Sequence, residues 1–146
     1  MAQRERRVSS GTPVVLDTNI ASQRFKKRSR ADLTRLIGTT SVISFVTNGE
    51  LHKWARMRDW APNSFAALQE WLAHTPIIES DHDIAVTWGD LSAAGAKRGQ
   101  SRPQNDTWIA ACCLVYDMPL ATYNVRDFQD FADDHGLRLF DLGPTS

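Results

Sequence analysis

Short apolar runs separated by stretches of helical periodicity extend along this chain, and that alternation restricts its fold more than any other feature. Val14-Val15-Leu16, Ser41 to Val46, Pro76-Ile77-Ile78, Leu120-Ala121-Thr122 and Leu137 to Phe140 are short and largely aliphatic or β-branched, so they read as strands. Helices are expected over Ala31 to Ile37, ended by Gly38, and over about Asn48 to Arg58, Asn63 to His74, Asp81 to Lys97, Asp106 to Tyr116 and Val125 to Asp134. Pro62 favours a break between two of them. Strands this apolar belong in a mainly parallel sheet whose two faces are both covered. The expected fold is therefore α/β, with about five strands flanked by helices on both faces.

Residues 1–12 lack apolar periodicity and read as a flexible N-terminal arm, leaving residues 13–146 as one domain. Hydrophobic residues make up 42% and charged residues 23%, the profile of a globular chain rather than a disordered one. The 17 basic and 17 acidic residues cancel, so there is no global attraction for a polyanion, and self-association or a protein partner is favoured. Any nucleic-acid binding would need a local basic patch or metal ions. The Pro13–Leu16 run is too short for a signal-peptide core or a membrane span, so a cytoplasmic location without membrane attachment is expected. Cys112 and Cys113, adjacent in a helix, read as small buried thiols rather than a bridge. Trp54, Trp71, Trp88 and Trp108 fall on inward helix faces, whereas the role of Trp60 is open.

Four acids stand out by position. Asp17 follows directly on the first strand, Glu50 opens the helix after the second, Asp106 opens the helix after the loop GQSRPQN, and Asp127 follows the fourth strand. Loops after parallel strands gather on the carboxyl edge of the sheet, where ligand crevices form. Asp106 would have to reach that edge from its helix start. Taken singly, Glu50, Asp106 and Asp127 also suit helix capping or the helix dipole. Asp17, at the end of a buried strand, must lose hydration and needs a strong partner. If the four converge, they repel one another and call for cations. Oxygen-only donors suit Mg²⁺ or Mn²⁺, which can activate water for in-line attack on a phosphodiester.

The segments PVVLDTN, SFVTNGEL, NDTWIAACC and LATYNVRDF resemble, in order and spacing, the acidic motifs of PIN-domain nucleases, and VapC-type toxins most closely. The resemblance spans roughly Pro13 to Phe140. It implies a five-stranded parallel PIN-like sheet and Mg²⁺- or Mn²⁺-dependent endoribonuclease activity on RNA. It further implies a small cognate antitoxin as partner, and often a homodimer. Asp17, Glu50, Asp106 and Asp127 match the catalytic, metal-binding acids, and Asn19, Thr122 and Asn124 match the polar positions beside them. Trp108 stands where a smaller aliphatic residue is more familiar in the family.

Candidate RNA-binding cations are Arg24, Lys26, Lys27 and Arg28, in a stretch continuing to Arg30 and Arg35, although such runs are often solvated faces. Lys97, Arg98 and Arg102 form a second set, and Arg126 could meet a phosphate or hold a carboxylate. The four histidines show no zinc spacing, and neither a P-loop nor a nucleophile elbow is present. Two rival readings stay open. One is phosphotransfer through an aspartyl nucleophile at Asp17, weakened because Asn19 stands where a second acid is usual. The other is a catalytically inactive module of the same fold that binds RNA or protein.

Overall fold

The computed structural model describes residues 11–26 and 31–143, and the structural statements that follow concern those residues. In chain order the elements are β1 (Pro13–Leu16), α1 (Thr18–Phe25), a 3-10 turn (Ala31–Leu36), β2 (Thr40–Ser44), α2 (Phe45–Met57), α3 (Pro62–Ala73), β3 (Ile77–Ile78), α4 (His82–Lys97), α5 (Gln104–Val115), β4 (Leu120–Ala121) and α6 (Val125–His135). The sheet runs β3-β2-β1-β4, with each neighbouring pair parallel.

The α/β expectation holds, and the sheet has four strands. The expected fifth strand is reduced to one parallel bridge between Leu120 and Leu139. There the Leu120 N–H donates to Arg138 O at 2.9 Å and Phe140 N–H to Leu120 O at 2.7 Å. Because β4 spans only two residues, it offers a neighbour little further backbone to pair.

Alternation along β1 and β2 builds two cores. Val14, Leu16 and Ile43 face a layer with Ile20, Leu36, Leu51 and Leu68 from α1, the 3-10 turn, α2 and α3. Val15 and Val42 face the opposite layer, with Ile84, Ile109 and Phe128 from α4, α5 and α6. Cys112 and Cys113 are buried free thiols in that second layer, and burial pushes the Cys112 pKa up to about 12. Trp108 stacks on Trp88 at 4.8 Å and receives Phe45 edge-on at 5.8 Å, so its bulk fills the α4–α5 contact. Trp60 stacks on Phe25 at 5.5 Å, which gives it a packing role at the end of α1.

Two local expectations are corrected. Thr18–Phe25, where the sequence pattern points to no element, is helical, with Asp17 at its N-cap. The run Ser41 to Val46 does not continue as strand. Ser44 turns it, its hydroxyl accepting the Thr47 N–H at 3.2 Å, so α2 starts at Phe45 and Glu50 lies in its second turn. Residues 1–10 of the expected arm lie outside the described residues. Gly11 and Thr12 are tied to β2, since Thr40 N–H donates to Thr12 O at 2.9 Å and Thr40 Oγ1 to Gly11 O at 3.3 Å. Gly11 has φ +112°, and a Cβ there would lie 2.2 Å from Gly38 O, so no larger residue fits.

The loop leading to α5 is fixed by Arg102. Its guanidinium is 6% exposed and donates to Asp130 Oδ2 at 3.1 and 2.7 Å and to Leu91 O at 2.7 Å. It also donates to His135 Nε2 at 3.1 Å, so that nitrogen is the acceptor of a neutral ring. Burial, and then the Arg102 charge, hold the His135 pKa below its usual value. Arg98 pairs with Asp130 and Asp134 on the same helix. Arg102→Ala removes the guanidinium from Asp130 Oδ2 and Leu91 O and leaves Asp130 only its longer pairing with Arg98. It is expected to cost about 2–4 kcal/mol, read as a lower denaturant midpoint at unchanged slope. A midpoint equal to wild type would refute this role.

Candidate active site

The first acid sits where a parallel sheet delivers it. Asp17 ends β1 beside the end of β4 and is 6% exposed. Its Oδ1 accepts the Thr18 N–H at 2.8 Å, and its Oδ2 accepts the Thr122 hydroxyl at 2.7 Å. Thr122 Oγ1 in turn accepts the Asn124 N–H at 2.9 Å, so one hydroxyl ties the loop after β4 to the acid after β1. Thr122→Val keeps the shape, removes the donor to a buried carboxylate and orphans an N–H. The expected cost is about 2 kcal/mol, a melting temperature roughly 4–8 °C lower. A melt indistinguishable from wild type would contradict it.

Glu50 reaches the same edge from α2. Thr18 Oγ1 donates to Glu50 Oε1 at 2.6 Å, and Asn105 Nδ2, from the first turn of α5, donates to Oε2 at 3.3 Å. Asp106, next to Asn105, is half-buried. Its pKa is pushed up to about 6, chiefly by burial and then by the charges of Asp17, Asp127 and Glu50, with no offsetting hydrogen bond or cation among the described residues. Burial also raises the pKa of Asp17. Hydrogen bonds from Thr122 and Thr18 oppose that rise, and Glu50 and Asp127 add to it. Asp127, exposed in the first turn of α6, thus acts on both.

The four acids therefore share one electrostatic field, drawn from the ends of β1 and β4 and the starts of α2, α5 and α6. Glu50 is bound to neutral donors away from the first turn of its helix, which rules out a role as first-turn dipole partner. Among the described residues, no three His, Cys, Asp or Glu side chains stand close enough to hold a metal ion as they are arranged. The donor set still fits a hard divalent cation, because it is oxygen-only, anionic and partly dehydrated.

Residues 14–134 match the PIN domain. The chain belongs to the PIN domain family. It is 29% identical over 123 residues to ribonuclease VapC1 of Haemophilus influenzae strain R2866, a match covering 82% of this chain and 92% of that protein. The solved structure of VapBC-1 from nontypeable Haemophilus influenzae superposes with a TM-score of 0.76 at 27% identity, covering 90% of this chain and 98% of that one. VapBC-5 of Mycobacterium tuberculosis, a member of the VapBC family of toxin–antitoxin systems, gives a TM-score of 0.68 at 23% identity, over 88% of this chain and 98% of that one. At that identity the likeness is one of fold.

Around the acids of this PIN domain, Asn19 and Asn124 are exposed at the starts of α1 and α6, and Thr122 is buried against Asp17. Arg24 is half-buried in the last turn of α1, Lys26 is exposed with its Nζ 5.6 Å from the centre of the Trp60 ring, and Arg126 is exposed beside Asp127. Lys27, Arg28 and Arg30 lie outside the described residues. Arg35 pairs with Asp141 at 3.2 Å, and Arg98 and Arg102 are engaged with α6, while Lys97, the remaining member of the second cationic set, is exposed. Thr18, Thr47 and Asn105 went unnoticed in the sequence. A hydroxyl directly after the strand-end acid was the available signal for Thr18.

Proposed function

We propose that this PIN domain is a Mg²⁺- or Mn²⁺-dependent endoribonuclease and the toxin of a toxin–antitoxin pair. The observation that carries the reading is the field at Asp106. A half-buried carboxylate there is opposed by three other acids and relieved by no cation among the described residues. Such a site favours capture of a divalent ion and cannot accept a phosphate without one. When bound, the ion supplies a water of lowered pKa and stabilises charge on the phosphodiester.

The remaining tasks fall to side chains of this chain. Asp17 and Asp106 would be the principal ligands, with Glu50 and Asp127 completing the anionic set. Thr122 and the Thr18 N–H hold both oxygens of Asp17, so its carboxylate is oriented before any ligand arrives. Asn19 and Asn124 border the opening, and Arg24, Lys26 and Arg126 are the described cations offered to RNA phosphates, continuing toward Lys27 and Arg28. A small cognate antitoxin and a possible homodimer are the expected partners. The likeness to VapBC-1 and the zero net charge support this. The described residues contain no helix long and apolar enough to cross a membrane.

The purified chain should cut members of an RNA panel in Mg²⁺ or Mn²⁺, stop on chelation, and stop again when the cognate antitoxin is added. RNA binding that is indifferent to metal, with no cleavage under any of these conditions, would favour the inactive binding module instead.

A further inference from the structure

We infer that Thr18, backed by Thr47 and joined by Asn105, is the positioning residue that fixes Glu50 in the acidic site. This rests on the nuclease reading of that site and names the parts that pre-form it.

Proton directions follow from donor chemistry. An ionised Glu50 only accepts, so the Thr18 hydroxyl spends its one hydrogen on Oε1 at 2.6 Å. The 3.0 Å contact between the Thr18 and Thr47 hydroxyls must then run from Thr47 to Thr18. Both threonines are buried, at 4% and 0% exposure, and both are β-branched helix residues with restricted rotamers. The second oxygen is met by Asn105 of α5 at 3.3 Å. Glu50 is thus held at both oxygens by uncharged groups from α1 and α5, and its orientation is set without neutralising its charge. A cation in either place would satisfy the carboxylate and compete with a metal. Neutral donors fix its direction and leave its charge available. Thr18 also directly follows Asp17, so one turn of chain sets two of the acids relative to each other.

The test uses the full chain as wild type, Thr18→Val, Thr18→Ser and Asn105→Ala. Mn²⁺ binding is measured by calorimetry, RNA cleavage by kcat and KM, and folding by thermal melts. Wild type is expected to bind Mn²⁺ and cut RNA. Thr18→Val is expected to bind Mn²⁺ about 10- to 100-fold more weakly, with kcat reduced and KM for RNA unchanged. Thr18→Ser, which keeps the hydroxyl, should recover most of the Mn²⁺ affinity, and Asn105→Ala should show a weaker loss of the same kind. Wild-type Mn²⁺ affinity and kcat in Thr18→Val would overturn the inference, even with a lowered melting temperature, because the hydroxyl would then serve only folding. If Thr18→Val does not fold, Asn105→Ala decides, since its side chain is exposed at the end of a helix. A wild type that neither binds Mn²⁺ nor cuts RNA removes the nuclease reading itself, and this inference with it.

Discussion

Asp17→Asn is expected to abolish RNA cleavage, by about 10³-fold or more, in a protein that still folds. Metal-assisted charge stabilisation is worth several kcal/mol, and each ~1.4 kcal/mol is a factor of ten in rate. The amide keeps the shape of the carboxylate and one acceptor oxygen for either the Thr18 N–H or the Thr122 hydroxyl. Its other position becomes a donor, and Thr122 can rotate its hydrogen away to accept it. What is lost is the buried charge, for which burial already raises the pKa of Asp17. The fold should therefore survive, and in chelator the variant should melt no lower than wild type. Circular dichroism and an RNA cleavage assay on the same preparation check both halves. Equal cleavage by wild type and Asp17→Asn would end the nuclease assignment, whereas an unfolded Asp17→Asn would show that its carboxylate is needed for the cap of α1.

The second large effect is on pH. With its pKa near 6, Asp106 takes up a proton in a range where an ordinary aspartate stays ionised. Cleavage should fall below about pH 6 by up to about tenfold per unit, as the protonated acid loses its metal. Because metal and proton compete, more Mn²⁺ should move the midpoint to lower pH. A midpoint that ignores Mn²⁺ concentration would separate the titration from the metal site. Stability runs the other way. The folded chain holds the Asp106 proton more tightly than the unfolded chain, so this group's stabilising contribution is whole below about pH 4 and disappears as pH rises through about 6. Asp106→Asn should accordingly raise stability in metal-free buffer at neutral pH by about 1 kcal/mol, after allowance for solvent screening of a half-exposed group.

The sequence carried the layer architecture because that is written in hydrophobic alternation. Val14 and Leu16 against Val15, or Val42 against Ile43, can only be satisfied by two covered faces. It did not carry α1. Thr18–Phe25 holds Thr, Asn, Ser and Gln, and its helix depends on the Asp17 cap and on burial of Ile20 and Phe25 against other elements. Nor could it separate Ser44 from the strand before it, since a β-branched run reads the same until a hydroxyl turns the chain. The four acids were legible as positions, but their convergence was not. Asp106 reaches the edge from the first turn of α5, and the loop before that helix is held by Arg102, whose value as a structural cation is invisible until Asp130 and Leu91 are seen around it. Isolated charges in a sequence show no partner, which is why Arg98 and Arg102 read as candidates for RNA.

Metal-dependent cleavage requires side chains from separate parts of the chain to form one site for a divalent ion. Anomalous scattering from crystals of the wild-type chain soaked in Mn²⁺ addresses this most directly. A manganese peak at coordination distance from both Asp17 and Asp106, absent in Asp17→Asn crystals, is the predicted result. Saturating Mn²⁺ with no peak between those two residues, or with peaks only on unrelated surface acids, would contradict it.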